Sequence, residues 1–313
     1  MTVRPRPLIA LAALTAVAVL AAGWSVAVRA PSASETAEGP LVPGLAARVN
    51  EVARLELVGQ GGRVTVARTA GGWGVEQKDG YRADPALVKA LVLAVAGARV
   101  LEPRTALPDL HARIGVEDPA APGAASTGVT LGAADGRPLA ALILGKPAAS
   151  AGTLYARRAG EAASWLVRAD LAAIETEPLR WIDPAVPRVP RDAVAAVEIR
   201  QPDGRTLAIR RDAPGRPFAA SGPAAPSLVE ETAEAPGLFV PQDVAKADPA
   251  LTESAVTTTV RRFDGSALVL RTAWRDGQAW VVFEELGGWR FRVSDALGRA
   301  LTRTPEDFAE GRS

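Results

Sequence analysis

One histidine, His111, and no cysteine are available for nucleophilic or metal chemistry in this chain of 313 residues. Without cysteine there are no disulfides, thiol nucleophiles or thiolate zinc sites, and a single imidazole cannot form a histidine pair or an HExxH helix. A Ser-His-Asp triad would have to use His111, and no GxSxG elbow accompanies it. His111 lies in "PDLHARIGVEDP" near Asp109, Glu117 and Asp118, a set that could hold a metal weakly. A lone histidine is more commonly a solvated or capping residue. Acidic pairs such as Glu284–Glu285 and Asp79–Asp84 could in principle run glycosidase-type chemistry. Adjacency in sequence sets no spacing across a cleft, so surface charge is the simpler reading.

The glycine-rich stretch "GGWGVEQKDGYRADPALVKAL" (71 to 91) raises the question of a phosphate loop ahead of a helix. Neither GxGxxG nor GxxxxGK[ST] is present, and about ten residues separate the glycines from Pro85. A hairpin turn with a packed Trp73 explains them without a ligand. The stretch "WRDGQAWVVFEELGGWRFRV" (274 to 293) concentrates Trp274, Trp280, Phe283, Trp289 and Phe291 in a chain with 5% aromatics. In "WRFRV" the aromatics and Val293 share one strand face while Arg290 and Arg292 share the other. The plain reading is a core under a solvated arginine face. The functional one is a partner-docking surface formed by Trp274, Trp280, Trp289, Arg290 and Arg292, because tryptophan and arginine dominate interface hot spots. The sequence assigns no catalytic, cofactor-binding or metal-binding residue, and no cofactor.

These residues must be positioned by elements legible in the pattern. "VARLELVGQGGRVTVAR" (52 to 68) alternates about a glycine turn, a β-hairpin signature. "VAAVEIRQPDGRTLAIR" (194 to 210) repeats it without a gap, pairing Leu55 with Val197, Gly62 with Gly204 and Arg68 with Arg210. Further likenesses match Pro103 to Pro241, the Asp-Gly turns at Asp135 and Asp264, and "WLVRADLAAI" (165 to 174) to "FRVSDALGRAL" (291 to 301). Each half then reads as hairpin, helical or irregular middle, further hairpins and a short terminal helix, an internal duplication. "DPALVKALVLAVAGARV" (84 to 100) is the best helix, with Asp84 as N-cap and Pro85 at its first position. The expected fold class is α+β with antiparallel, hairpin-rich sheets in two related lobes.

The N-terminus suggests a location. Arg4 and Arg6 precede an uncharged apolar run from Leu8 to Val28, long enough to cross a hydrocarbon core of ~30 Å. Trp24 suits the interface, and the positive-inside rule keeps the terminus cytoplasmic and sends the body outward. A cleaved signal peptide ending near "SAS" (32 to 34) is the rival, although its apolar core would be shorter. The expected organisation is a transmembrane signal-anchor at 1–29, a flexible linker at 30–45, a first lobe at 46–185 and a second at 186–313. The segment "RWIDPAVPRVPRD" (180 to 192) forms the boundary. With Lys+Arg at 36 and Asp+Glu at 35, no net field draws the chain to nucleic acid.

The order of "GGWGV", "YRADPALVKALV", "LHARIGVEDPA" (110 to 120), "LILGKP" (142 to 147) and "GTLYARRAG" (152 to 160) after the first hairpin resembles the domain-of-unknown-function family 4340, closely over roughly residues 50 to 185 and loosely over the remainder through the duplication. Where that family commonly has tyrosine-glycine-leucine, this chain has Ile114, Gly115 and Val116. The resemblance implies a membrane-anchored extracytoplasmic module associated with a gliding-motility-type auxiliary ABC transporter system, and carries over no catalytic residue. The expectation is a non-enzymatic, single-pass accessory protein of the inner membrane whose periplasmic body binds a partner, an ABC-type transporter or envelope complex. The alternatives are an envelope glycan- or lipid-binding module and, last, a carboxylate-dependent hydrolase.

Overall fold

The computed structural model describes residues 39–171 and 174–310. The apolar run at 8–28 lies outside them, and among the described residues no helix is long and apolar enough to cross a membrane. The chain folds as α+β with two antiparallel sheets. The first contains β1 (Gly39–Pro40), β2 (Val52–Gly59), β3 (Gly62–Thr69), β4 (Gly72–Val75), β5 (Tyr81–Arg82), β6 (Arg99–Pro103), β7 (Thr127–Ala133), β8 (Pro138–Pro147), β9 (Thr153–Arg158) and β10 (Ser164–Arg168). The second contains β11 (Val194–Arg200), β12 (Thr206–Arg210), β13 (Ala219–Ala220), β14 (Asp243–Lys246), β15 (Val256–Arg262), β16 (Ala267–Arg275), β17 (Gln278–Phe283) and β18 (Trp289–Val293). The helices are α1 (Pro85–Gly97), α2 (His111–Ile114), α3 (Pro226–Glu234), α4 (Pro249–Glu253), α5 (Asp295–Leu301) and α6 (Pro305–Glu310).

The two sheets share a connectivity. Across the first, the order β6-β10-β9-β8-β7-β2-β3-β4 is matched in the second by β14-β18-β17-β16-β15-β11-β12-β13, with β1 and β5 added at the outer edges of the first. The pairing register shifts at the start of both leading strands, between Val52 and Arg54 and between Val194 and Ala196. Asp135 and Asp264 each accept an amide two residues on, from Arg137 and Ser266, ahead of left-handed Gly136 and Gly265. Such Asx turns are what Asp-Gly chemistry favours.

Register corrects two of the sequence alignments. Leu57 faces Val64 in the first hairpin but Ile199 faces Leu207 in the second, whose turn is therefore one residue longer. A one-residue slip moves a side chain to the opposite face, so the counterpart of Arg68 is Arg211 and not Arg210. Both arginines close the same clip. Arg68 Nε donates to the Val52 carbonyl at 3.1 Å and its guanidinium stacks 4.9 Å from the Trp73 ring. Arg211 Nε donates to the Val194 carbonyl at 2.8 Å and stacks 4.4 Å from Phe218. Pro103 faces Trp165 and Val244 faces Phe291, so Pro103 corresponds to Val244 and not Pro241. The likeness of Trp165 to Phe291 holds in register, but helix α5 follows only β18. Residues 169–171 after β10 are irregular.

Of the linker expected at 30–45, residues 39–45 belong to the fold and the rest lies outside the described residues. Gly39–Pro40 pairs with β6, Leu41 and Leu45 are buried, and the Leu41 carbonyl accepts Arg158 Nε at 2.8 Å. Apolar side chains with core to bury do not remain in a tether. The proline-rich segment is clipped at both ends. Asp84 N donates to the Trp181 carbonyl, Ala83 bridges Ile182, and Val189 is fully buried against Gly237.

One continuous core runs through both sheets. Its junction is Tyr81, whose ring lies 4.9 Å from Trp289 and 5.7 Å from Phe291, edge-on to both. Phe291 continues to Phe283 and Phe239, all three fully buried. Elsewhere Gly145 in β8 allows α2 to lie on the sheet, since a Cβ there would meet the Ile114 carbonyl at 2.5 Å and the Gly115 carbonyl at 2.9 Å. Gly115 itself takes the left-handed helix-ending conformation, and Lys146 Nζ donates to the Arg113 carbonyl. The "IGV" and "LILGKP" motifs are thus two sides of one contact.

Gly145→Ala is expected to lower stability by about 1–3 kcal/mol, the range for overpacking, read as a fall in the urea midpoint. Tyr81→Ala is expected to cost about 3–5 kcal/mol, as for buried aromatics. The Tyr81 hydroxyl is buried without a hydrogen-bond partner, so Tyr81→Phe should be neutral or stabilising. Burial raises the Tyr81 phenol pKa. The unfolded chain therefore ionises first, and stability present below about pH 10 is lost as pH rises beyond it. Tyr81→Phe should remove that part of the alkaline loss, and an unchanged alkaline denaturation profile would contradict the assignment.

Candidate functional site

The glycines of "GGWGV" serve the backbone. Gly72 has φ of 117°, and a Cβ at Gly74 would lie 2.7 Å from the Gly80 carbonyl oxygen. Together they let β4 turn tightly and lie against the turn leading to β5. Trp73 is thereby held half-buried at the edge of the first sheet under Arg68. Asp84 caps α1 as expected, accepting the Ala86 amide at 2.8 Å.

The edge built by β4 and β5 faces the edge built by β18 and β14. Lys78 Nζ pairs with Asp243 Oδ1 at 2.7 Å, both side chains being mostly buried. Asp79, in a left-handed conformation, accepts the Lys246 amide at 3.3 Å. Lys246 Nζ stands 3.7 Å over the Trp289 ring. Between the edges lies a cleft of about 390 Å³ whose walls include Trp73, Tyr81, Arg82, Glu285 and Trp289. Its volume falls within the range of small-ligand sites. Glu285 is the one carboxylate on its walls and Arg82 is paired with Asp183 at 3.0 Å, so the cleft offers stacking surfaces and one carboxylate but no acid pair. The acidic pairs singled out in the sequence do other things. Glu284 and Glu285 are both exposed after β17, while Asp79 holds Lys246 and Asp84 holds α1.

The five residues of the expected docking surface are not brought together. Trp289 lies in the cleft. Trp280 is nearly buried on the outer face of the second sheet, with Val282 and with Leu251 from α4. Arg290 stacks over it at 4.7 Å, and Arg292 lies directly across the strand pair from it. Trp274, 41% exposed, stands on the other face near the end of β16, where Gly298 of α5 leaves room for its ring. The alternation expected of "WRFRV" holds, since Phe291 and Val293 are buried while Arg290 and Arg292 face outward. What the alternation could not show was that Trp280 shares the arginine face. Tyr81, Lys78 and Lys246 escaped the sequence reading because they meet partners across the boundary between the halves.

His111 is buried under the outer face of the first sheet, where its Nε2–H donates to the Ala162 carbonyl at 2.9 Å. A cavity of about 560 Å³ adjoins it. There Glu56 pairs with Arg63, Arg157 donates to the Val116 and Glu161 carbonyls, and Asp118 accepts the Ala120 amide. No group of three or more metal-ligating side chains occurs among the described residues.

A family model described as "Domain of unknown function (DUF4340)" matches residues 73–271. No curated protein and no solved structure matches the chain. The match begins at Trp73 in β4, omits the first hairpin, and continues past residue 185 to Arg271 in β16. The matched stretch therefore takes in part of both sheets and the junction where the cleft lies. With well over half of its length matched, the chain belongs to the DUF4340 family of domains of unknown function.

Proposed function

We propose that this chain is a non-enzymatic binding protein, anchored by its N-terminal apolar segment with the body outside the cytoplasmic membrane. Its two sheets derive from one duplicated unit and clasp a ligand or partner segment between them. The cleft carries this reading. Its aromatic walls are fixed by contacts from both sheets, Tyr81 on Trp289 and Lys78 on Asp243, so little ordering cost falls on binding. The shared strand order, the paired arginine clips and the matching Asx turns support the duplication. An ABC-type membrane complex is the partner to test first, on the family's association alone.

The test is affinity capture of the full chain from solubilised membranes. The wild type should recover transporter subunits, and Trp73→Ala or Glu285→Arg should reduce recovery by about tenfold, as for an interface hot spot, the substitution at exposed Glu285 with an unchanged melting temperature. Recovery of no such subunit by the wild type would remove the transporter reading. Recovery unaffected by either substitution would remove the cleft.

A second reading rests on the outer face of the second sheet. Arg290 Nε and Arg292 Nε are buried there without hydrogen-bond partners, beside Trp280. Anionic envelope glycans or headgroups would complement that face. Arg290→Ala combined with Arg292→Ala should then weaken retention on isolated envelope fractions, and equal retention of the double variant would dispose of this reading.

A further inference from the structure

Helix α1 is apolar on both sides. Val88, Leu91, Val92 and Val95 face the core, as an amphipathic helix requires. The opposite side carries Ala86, Ala90, Leu93 and Gly97, all exposed, and Leu87 is exposed on its flank. Leu87 is 42% and Leu93 50% exposed, and Lys89 is the only charged residue in the helix. A helix that is hydrophobic all round is expected to be covered on all sides.

The fold does not demand this. Helix α3 occupies the equivalent place in the second half, between β13 and β14, and its outward residues include Ser227, Glu230, Glu231 and Glu234. Those acids pair with Arg191 and Arg303. One helix position in one connectivity is thus polar outside in the second half and apolar outside in the first.

Two observations say what covers α1. The chain enters the fold beside its end: Leu41 donates its amide to the Ala98 carbonyl, and Pro40 faces Arg99. In sequence, residues 29–38 alone separate this point from the apolar run ending at Val28, a reach of at most ~35 Å. At the same place Arg99 faces Arg168 across the β6–β10 pair, both exposed, and neither has an ion-pair partner among the described residues. Like charges directly opposed in a sheet are destabilising unless an outside anion relieves them.

We infer that the outward face of α1 beds into the lipid surface beside the anchor, with Arg99 and Arg168 meeting anionic headgroups. This rests on the anchored reading proposed above. An apolar helix face sunk to the acyl boundary and flanked by cations is the physics of interfacial helices. The tether then delivers the body to the membrane in a fixed orientation.

The absence of native cysteine makes the test direct. Full-length Leu93→Cys, and Thr206→Cys on the second sheet as the comparison, are labelled with bimane and reconstituted into phosphatidylglycerol or phosphatidylcholine vesicles. The label at 93 should be quenched by lipid-borne nitroxide and shielded from aqueous iodide, and the label at 206 the reverse. Arg99→Gln and Arg168→Gln should each lower the buried-to-exposed ratio at 93 by about fivefold in anionic vesicles only. If the chain sediments with vesicles while iodide reaches both labels equally, the α1 inference falls and the anchor stands. If the chain does not sediment with them, both fall. Shielding at 93 without nitroxide quenching would mean that protein covers α1, the chain's own N-terminal segment or a second copy, and would also overturn the inference.

Discussion

The ring of Tyr81 stands edge-on to Trp289 and Phe291, and through them its contacts reach Phe283 and Phe239 in the heart of the second sheet. Edge-to-face contacts of this kind add to the area the rings bury. Their position matters more than their strength. Tyr81 belongs to a two-residue strand that extends the first sheet beyond the pattern shared with the second. Without it two sheets of similar connectivity would each need a separate way to cover their inner faces. With it they share one core, and Lys78–Asp243 and Asp79–Lys246 set the angle at which they meet. The cleft follows from that joint, since its walls are the residues on either side of the ring.

Much of this architecture could be read from residue order because it is local. Alternation about Gly62 and Gly204 gave hairpins, Asp84-Pro85 gave the start of α1, and Asp135-Gly136 and Asp264-Gly265 gave the turns. Where the reading slipped, the cause was register. Residues aligned without a gap placed Arg210 opposite Arg68, but a turn longer by one residue hands the role to Arg211. The candidate site was less legible. Trp289 was singled out for its neighbours in sequence, yet its structural neighbours are Tyr81 and Lys246. Single-sequence periodicity carries no information about pairs so distant along the chain. The same limit applied to Trp280, which alternation within β18 could not place because Trp280 belongs to β17.

The two halves diverge most where they differ in surroundings. Helix α3 turns acids outward and ties them to Arg191 and Arg303, while α1 turns leucine and alanine outward and has no such ties. A duplicated framework can keep its inner faces nearly constant, because packing tolerates few changes there, while its outer faces follow what each half meets.

The sheet edges close the question of how a partner could be recognised. Three of the four edge strands, β1, β5 and β13, are two residues long, and β1 contains a proline. The fourth, β14, has its Val244 and Lys246 amides taken by the carboxylates of Asp243 and Asp79. Short, proline-bearing or capped edges are how sheets avoid unwanted strand pairing. Among the described residues they also leave little length of edge on which an extended peptide could be added by main-chain hydrogen bonds. A partner meeting these sheets would then be met through side chains, its fit set by the shape of surfaces and not by the length of an incoming strand.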